Sequence, residues 1–245
     1  MSVLRHYPAL VIPAYQPDGE LLTLVRALRE RRPEQLIIVV NDGSDLQIRW
    51  LFEELLNYQV QVLHHSRNMG KGQALKTGFS HYLNLMGSEA LGVITADADG
   101  QHTVEDILAL SDALVEAGHQ LHLGVRNFAH DGIPWRSKMG NVLTGYIFRL
   151  FSATPLYDTQ TGLRGIPAQL LKPLLTSRSK GYELEMEMLL MAAEHNIQLN
   201  QIPIKTLYFN RNAHSHFNPW RDSFKIYRVV ARFLLRQRRK SRPSL

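Results

Sequence analysis

At 245 residues, with 44% hydrophobic and 20% charged residues, the chain can bury a sizeable core and has the make-up of a soluble globular protein. Cysteine is absent, which excludes disulfides and thiolate metal centres and fits a reducing compartment. The net charge of +6 is unevenly placed: nine basic residues and one acid between Arg221 and Arg242 give that segment +8, leaving −2 for the rest.

Met1–Pro8 lacks the apolar run of a secretory signal, and no stretch approaches the roughly 20 continuous apolar residues of a membrane span. The chain is therefore expected to be soluble, or to lie on a membrane without crossing it. The domain outside the basic segment is slightly acidic and carries no nucleic-acid motif, so no nucleic-acid partner is expected.

In chain order, Ala9–Pro13 reads as a strand and Asp18–Arg31 as a helix, with apolar spacing at Leu21, Leu24, Val25 and Leu28. Gln35–Val40 is an Ile/Val run suited to a buried parallel strand, and Gln59–His64 is a further strand. Lys71–Leu85 reads as a helix, Leu91–Ala96 as a strand, Val104–Glu116 as a helix and Leu121–Val125 as a strand. This alternation predicts an α/β, Rossmann-like domain with a mostly parallel sheet, whose ligands collect at the carboxyl ends of the strands. Beyond Arg126 the pattern is less regular. Ile133–Phe151 and Lys180–His195 read as helices, a strand follows from Ile197, then a polar loop (Phe209–Phe217), then a basic helix.

The strand ends carry the chemistry. Asp97-Ala98-Asp99-Gly100-Gln101-His102 follows a buried strand, so two carboxylates spaced i, i+2 can turn toward one hard cation, Mg2+ or Mn2+. Such an ion neutralises charge developing on a leaving diphosphate. A lone Asp-x-Asp is more often a solvated turn; its place after the strand gives it weight. Asn41-Asp42-Gly43-Ser44 ends another strand, where Asp42 can accept hydrogen bonds from a base or ribose. Pro13-Ala14-Tyr15 ends the first. Gly70-Lys71-Gly72 opens a helix in a way that suits anion binding but lacks the spacing of a P-loop.

In this order the four segments resemble family 2 glycosyltransferases of the GT-A fold, and within them the dolichyl-phosphate mannose synthase-like and bacterial polyprenyl-phosphate branch. The resemblance covers roughly residues 8–216. It implies a GT-A domain over residues 1–217 and a basic C-terminal helix over 218–245. It also implies nucleotide-sugar contacts at Pro13, Ala14, Tyr15, Asp42 and Lys71, and a metal and diphosphate site at Asp97, Asp99 and Gln101. Arg126 and Arg136 resemble the pair that holds the acceptor phosphate, a task suited to a permanently charged bidentate donor. Asp158, Gln160 and Arg164 match the segment lining the sugar.

Two departures qualify the match. Hydroxyl-glycosylating members carry a catalytic acid at a helix start, where this chain has Glu183, Glu185 and Glu187. Glu183 and Glu187 share a helix face and Glu185 points elsewhere, so a general base is possible but not dictated. A lipid phosphate, already anionic, needs none. Where the branch has Gly-x-Ser-Lys, this chain has Ala213-His214-Ser215-His216, so that His216 could ligate the metal or contact the diphosphate.

The expected function is metal-dependent, inverting transfer of a sugar from a UDP- or GDP-sugar to a polyprenyl phosphate. The alternatives are transfer to a sugar hydroxyl in polysaccharide or glycolipid assembly, and a non-catalytic partner in a larger complex. In the last helix Trp220, Phe224, Tyr227 and Leu234 fall near one side, with Val230 close by, and Lys225, Arg228, Arg232 and Arg236 along another. This combination suggests peripheral contact with the cytosolic membrane face.

Overall fold

The structure, a computed structural model, describes residues 7–126, 161–205 and 219–240, with side chains in the last segment for 222–235. Seven strands, β1 (Ala9–Ala14), β2 (Ile37–Asn41), β3 (Gln61–His64), β4 (Gly92–Thr95), β5 (Leu121–Arg126), β6 (Arg164–Pro167) and β7 (Leu199–Ile204), form one sheet of order β3-β2-β1-β4-β6-β5-β7. The described helices are α1 (Glu20–Arg31), α2 (Arg49–Leu56), α3 (Lys71–Met86), α4 (Val104–Glu116), α5 (Ala168–Leu175), α6 (Glu183–Glu194) and α7 (Pro219–Lys240).

Alternate residues of each strand point to opposite faces, and in the central strands both faces are apolar. Val11, Ile38 and Val40 meet α3, α5, α6 and α7 on one side. Leu10, Ile12, Ile37 and Val39 meet α1, α2 and α4 on the other. Phe79 and Tyr82 of α3 are almost wholly buried, each contributing on the order of 2 kcal/mol from lost apolar exposure.

Every pairing is parallel except those of β6, which runs antiparallel to both β4 and β5. Thr95 pairs with Arg164, so the start of β6 arrives at the carboxyl end of β4. Neither β6 nor the helices α2 and α5 were expected from sequence. β6 has only four residues, Arg-Gly-Ile-Pro, with neither an alternating nor a long apolar pattern. α2 is eight residues behind a 3-10 turn, and α5 carries Pro173.

The chain runs outward from β1 to β2 and β3, then returns to place β4 on the other side of β1. That reversal leaves a crevice at the carboxyl ends of β1 and β4, where open α/β sheets bind ligands. Pro13 sits at its edge. Leu10 and Ala14 bond toward β2 and Val11 toward β4, so Pro13 faces β4 beyond the last paired residue, Val11 with Thr95. A proline there removes no ladder bond.

Candidate active site

Asp97 lies just beyond β4 and is the centre of the crevice. Its Oδ1 accepts from the Lys71 ammonium at 2.6 Å, and the same ammonium reaches Glu185 Oε1 at 2.7 Å. One cation therefore joins the end of β4, the start of α3 and the first turn of α6. Burial works against charge on Lys71, but the attraction of Asp97 and Glu185 outweighs it and raises its pKa. Burial also opposes charge on Asp97, and there the Lys71 and His102 contributions prevail, holding the carboxyl well below the usual carboxylate range. Asp99 shifts the other way, raised by burial and by the charge of Asp97.

Local sequence explains how Lys71 arrives there. Gly70 caps α3 at φ 98°, and a Cβ at that position would stand 2.5 Å from Lys180 O. Gln73 N donates to Lys180 O at 2.9 Å, which seats the start of α3 on the turn before α6. Tyr182 from that turn places its ring 5.4 Å from Lys71 Nζ.

Gly162 closes the site from the β6 side. A Cβ added to it would fall 2.3 Å from Asp97 Oδ2, so only glycine allows this approach. Thr95 Oγ1 donates to Gly162 O at 2.7 Å and fixes the peptide. Arg164, 1% exposed, lies beneath: its Nε donates to Thr161 O at 2.9 Å and its Nη1 to Glu185 O at 2.6 Å. The structure thus uses Arg164 to brace the backbone of Glu185.

Asp42 is also enclosed, at 2% exposure. Its Oδ1 accepts from Met69 N (2.9 Å) and contacts His65 Nδ1 (2.7 Å), while its Oδ2 accepts from Gly70 N (2.8 Å). His65 Nε2 meets Thr77 Oγ1 at 2.9 Å. Asp42 therefore straps the loop that delivers Lys71 to the end of β2. Pro13, Ala14 and Tyr15 close β1 beside it, and Gln16 N donates to Ser44 Oγ at 2.9 Å, joining the two strand ends.

Of the three glutamates, Glu185 reaches the acid centre. Glu183 Oε1 accepts from Lys180 N at 3.0 Å, and Glu187 accepts from the hydroxyls of Ser177 and Ser179. Arg126 ends β5, at the same sheet edge as the end of β4 but two strands away. Arg136, Asp158, Gln160 and His216 lie outside the described residues. From sequence His65 and His102 show no ligand-like arrangement, and no separate role is read for Ser44 or Tyr182; the structure sets His65 against Asp42 and His102 beside Asp97.

The donor set at β4 suits a hard divalent cation. Asp97 and Asp99 supply carboxylate oxygens and Gln101 an amide oxygen within one turn, and Gln101 N donates to Asp99 Oδ1 at 3.1 Å. His102 lies alongside, buried, with Nε2 3.7 Å from Asp97 Oδ2 and no hydrogen bond at either ring nitrogen. Among the described residues no three His or acidic side chains are grouped so as to hold a metal ion between them.

The family model for glycosyl transferase family 2 matches residues 9–170, which spans the sheet from β1 to the start of α5. The chain is a family 2 glycosyltransferase. The transferase is 29% identical over 217 residues to the UDP-N-acetylglucosamine–dolichyl-phosphate N-acetylglucosaminyltransferase of Methanococcus voltae, covering 81% of this chain and 85% of that relative. It is 28% identical to the polyprenol monophosphomannose synthase of Mycolicibacterium smegmatis, covering 80% of this chain and 75% of that one. With the undecaprenyl-phosphate mannosyltransferase of Micrococcus luteus it shares 28% identity, over 79% of this chain and 81% of the relative.

Solved structures agree on the GT-A fold. Glucosyl-3-phosphoglycerate synthase from Mycobacterium tuberculosis, in complex with Mn2+, UDP and phosphoglyceric acid, superposes on the transferase with a TM-score of 0.66. That match covers 94% of this chain and 78% of the other at 15% identity. A mannosyltransferase from Pyrobaculum calidifontis, in complex with GDP-Man and Mn2+, gives 0.59, covering 98% and 66% at 16% identity.

Proposed function

We propose that this transferase moves a sugar from a nucleoside diphosphate-sugar to a polyprenyl phosphate, with inversion at the anomeric carbon and with Mg2+ or Mn2+ bound at Asp97, Asp99 and Gln101. The observation that carries the reading is the Asp97-centred cluster at the β1–β4 crevice, joined to Glu185 by Lys71. Three relatives that match about four-fifths of the chain bear names with lipid-phosphate acceptors.

The nucleotide lies along the ends of β1 and β2, against Pro13, Ala14 and Tyr15, over the loop that Asp42 straps in place. The diphosphate falls above Asp97 and Asp99, within reach of the Lys71 ammonium. A cation held by Asp97, Asp99 and Gln101 would supply charge neutralisation for the departing diphosphate. Asp158, Gln160 and His216 complete the sugar and diphosphate contacts in this reading, and Arg126 and Arg136 hold the acceptor phosphate. A phosphate oxygen forms the new bond to the anomeric carbon as the bond from that carbon to the diphosphate oxygen breaks. The nucleoside diphosphate leaves, and no proton has to move. Most of the acceleration then comes from alignment and fixed charge.

Transfer to a sugar hydroxyl would instead need a base. Glu185 is the glutamate placed for that task, beside Asp97. Its Oε1 is already committed to the Lys71 ammonium at 2.7 Å, and Glu183 is tied to Lys180 N, which favours the phosphate acceptor. The reading includes a peripheral place at the cytosolic membrane face. Among the described residues no helix is long and apolar enough to cross a membrane.

Turnover of UDP- and GDP-sugars with Mn2+ or Mg2+, with and without a short polyprenyl phosphate, tests the proposal. Lipid-dependent nucleotide release that disappears in Asp99→Ala is expected. Equal release with and without the lipid phosphate, for every sugar, would refute it.

A further inference from the structure

The last helix divides differently from the expectation of an apolar side and a basic side. Its inner stripe is Val229, Val230 and Phe233, each under 9% exposed, with Ile226 half-buried, all packed in the core that α6 shares. The outer stripe is Phe224, Tyr227, Arg228, Ala231, Arg232 and Leu235, all exposed. Phe224 is 63%, Tyr227 47% and Leu235 60% exposed. The difference has a packing cause. Branched and ring side chains at 226, 229, 230 and 233 fit the Met/Leu surface of α6, so the helix already has a core-facing side. The aromatics at 224 and 227 are turned outward with the arginines, and Arg228 lies over the Phe224 ring at 5.9 Å.

An outward stripe that mixes aromatic rings, a leucine and arginines has two sorts of contact to offer at once, burial of rings and neutralisation of anions. It lies in the segment that carries +8, while the remainder of the chain carries −2. Its start also abuts the active site. A Cβ built on Gly181 would lie 3.8 Å from Lys225 Nζ and 2.7 Å from Glu183 Oε2. Lys225 Nζ also lies 3.4 Å from Asp222 Oδ1 in the first turn. The turn at 181–183 is the one that presents Tyr182 and Glu185 to Lys71. From Phe224 to Leu235 the stripe extends about 16 Å at roughly 1.5 Å per residue.

We propose that this outer stripe of α7 seats the transferase on an anionic lipid surface, with its active-site end turned to the headgroups. Phe224 and Tyr227 enter the interface nearest the crevice, Leu235 enters at the far end, and Arg228 and Arg232 pair with lipid phosphates. An acceptor carried in the same leaflet then meets the Tyr182–Glu185 turn without leaving the membrane. This rests on the lipid-phosphate reading above for its purpose, but not for its physical cause.

Co-sedimentation of the full chain with phosphatidylglycerol vesicles and with phosphatidylcholine vesicles tests it, alongside transfer to a short, water-soluble polyprenyl phosphate without vesicles. Binding is expected to favour phosphatidylglycerol and to weaken at 0.5 M salt. Arg228→Gln and Arg232→Gln are expected to lose about fivefold each in partition. Phe224→Ser with Tyr227→Ser is expected to lose about tenfold or more. All four substitutions leave turnover of the soluble acceptor unchanged. Equal binding of wild type and Phe224→Ser/Tyr227→Ser, or no preference for anionic vesicles, would overturn the proposal. So would a stripe that proves instead to join two copies of the chain, seen as a dimer that the double variant converts to monomer. Vesicle binding without any transfer would leave this surface standing and sink the lipid-phosphate reading instead.

Discussion

The ammonium of Lys71 stands 2.6 Å from Asp97 Oδ1, at the point where the first residue of α3 meets the first residues past β4. Because Glu185 shares the same ammonium, one lysine offsets two carboxylates in a site that burial makes costly for any of them alone. Lys71→Met leaves both acids without their shared counter-charge. With Lys71 at 16% and Asp97 at 29% exposure, the loss is expected at about 1–3 kcal/mol. Urea unfolding checks it, as a lower midpoint at unchanged slope. An unchanged midpoint would mean the contact contributes nothing to the fold.

Gly162 tests the geometry of Asp97 from the other side. In Gly162→Ala the new methyl would stand 2.3 Å from Asp97 Oδ2, so the carboxylate has to move. Displacement by about 1 Å is expected to reduce kcat/KM by about 10²-fold and to weaken Mn2+ binding, with the far-ultraviolet dichroism unchanged. Calorimetric titration with Mn2+ separates this from a folding defect.

Asp42→Asn exchanges an acceptor-only carboxylate for an amide. One of the donors at Met69 N, Gly70 N or His65 then faces an NH2 group, at an expected cost of about 1–3 kcal/mol. Loosening should concentrate in the loop that precedes Lys71. Hydrogen exchange at Met69 and Gly70 is expected to quicken more than at the centre of β2.

His122 gives the chain a pH dependence away from the active site. It is fully buried in β5, its Nε2 donating to Ala117 O at 3.1 Å while its Nδ1 accepts from Asn200 Nδ2 at 3.1 Å. Burial lowers its pKa, so below the unfolded value of about 6.5 the unfolded chain binds the proton more readily than the folded one. This contribution to stability is therefore complete above that pH and declines as pH falls beneath it. Denaturation midpoints compared at pH 7.5 and 5.5 should show a loss in wild type that is smaller in His122→Asn. Equal losses would assign the effect to other groups.

The parallel half of the fold was legible because its signals are local. Ile37–Val40 is an unbroken β-branched run, and α4 begins at Val104 with Thr103 accepting from Asp106 N as its cap. What the sequence concealed depends on long-range contact. β6 is identifiable as a strand only through β4 and β5, which it bridges in the antiparallel sense. The Asp97 pair was found by its place after a strand. The partnership of Lys71 with Glu185 joins residues more than a hundred positions apart, and no periodicity encodes it. Asp42 was read as facing the ligand, whereas the structure binds its carboxylate to the Met69–Gly70 turn and His65. Similarly, helical spacing puts Phe224, Tyr227 and Val230 within one broad sector of α7, but only the surface of α6 decides which of them is turned inward.

In the proposed reaction the anomeric carbon passes from a nucleoside diphosphate to a lipid phosphate. Mass spectrometry of the reaction of the purified chain with a short polyprenyl phosphate, Mn2+ and a mixture of UDP- and GDP-sugars measures that directly. The expected result is a lipid phosphate heavier by one sugar residue, formed in equal amount with free nucleoside diphosphate and absent in Asp97→Asn. Nucleoside diphosphate released while the lipid phosphate keeps its mass, with the sugar recovered on a hydroxyl acceptor, would contradict it.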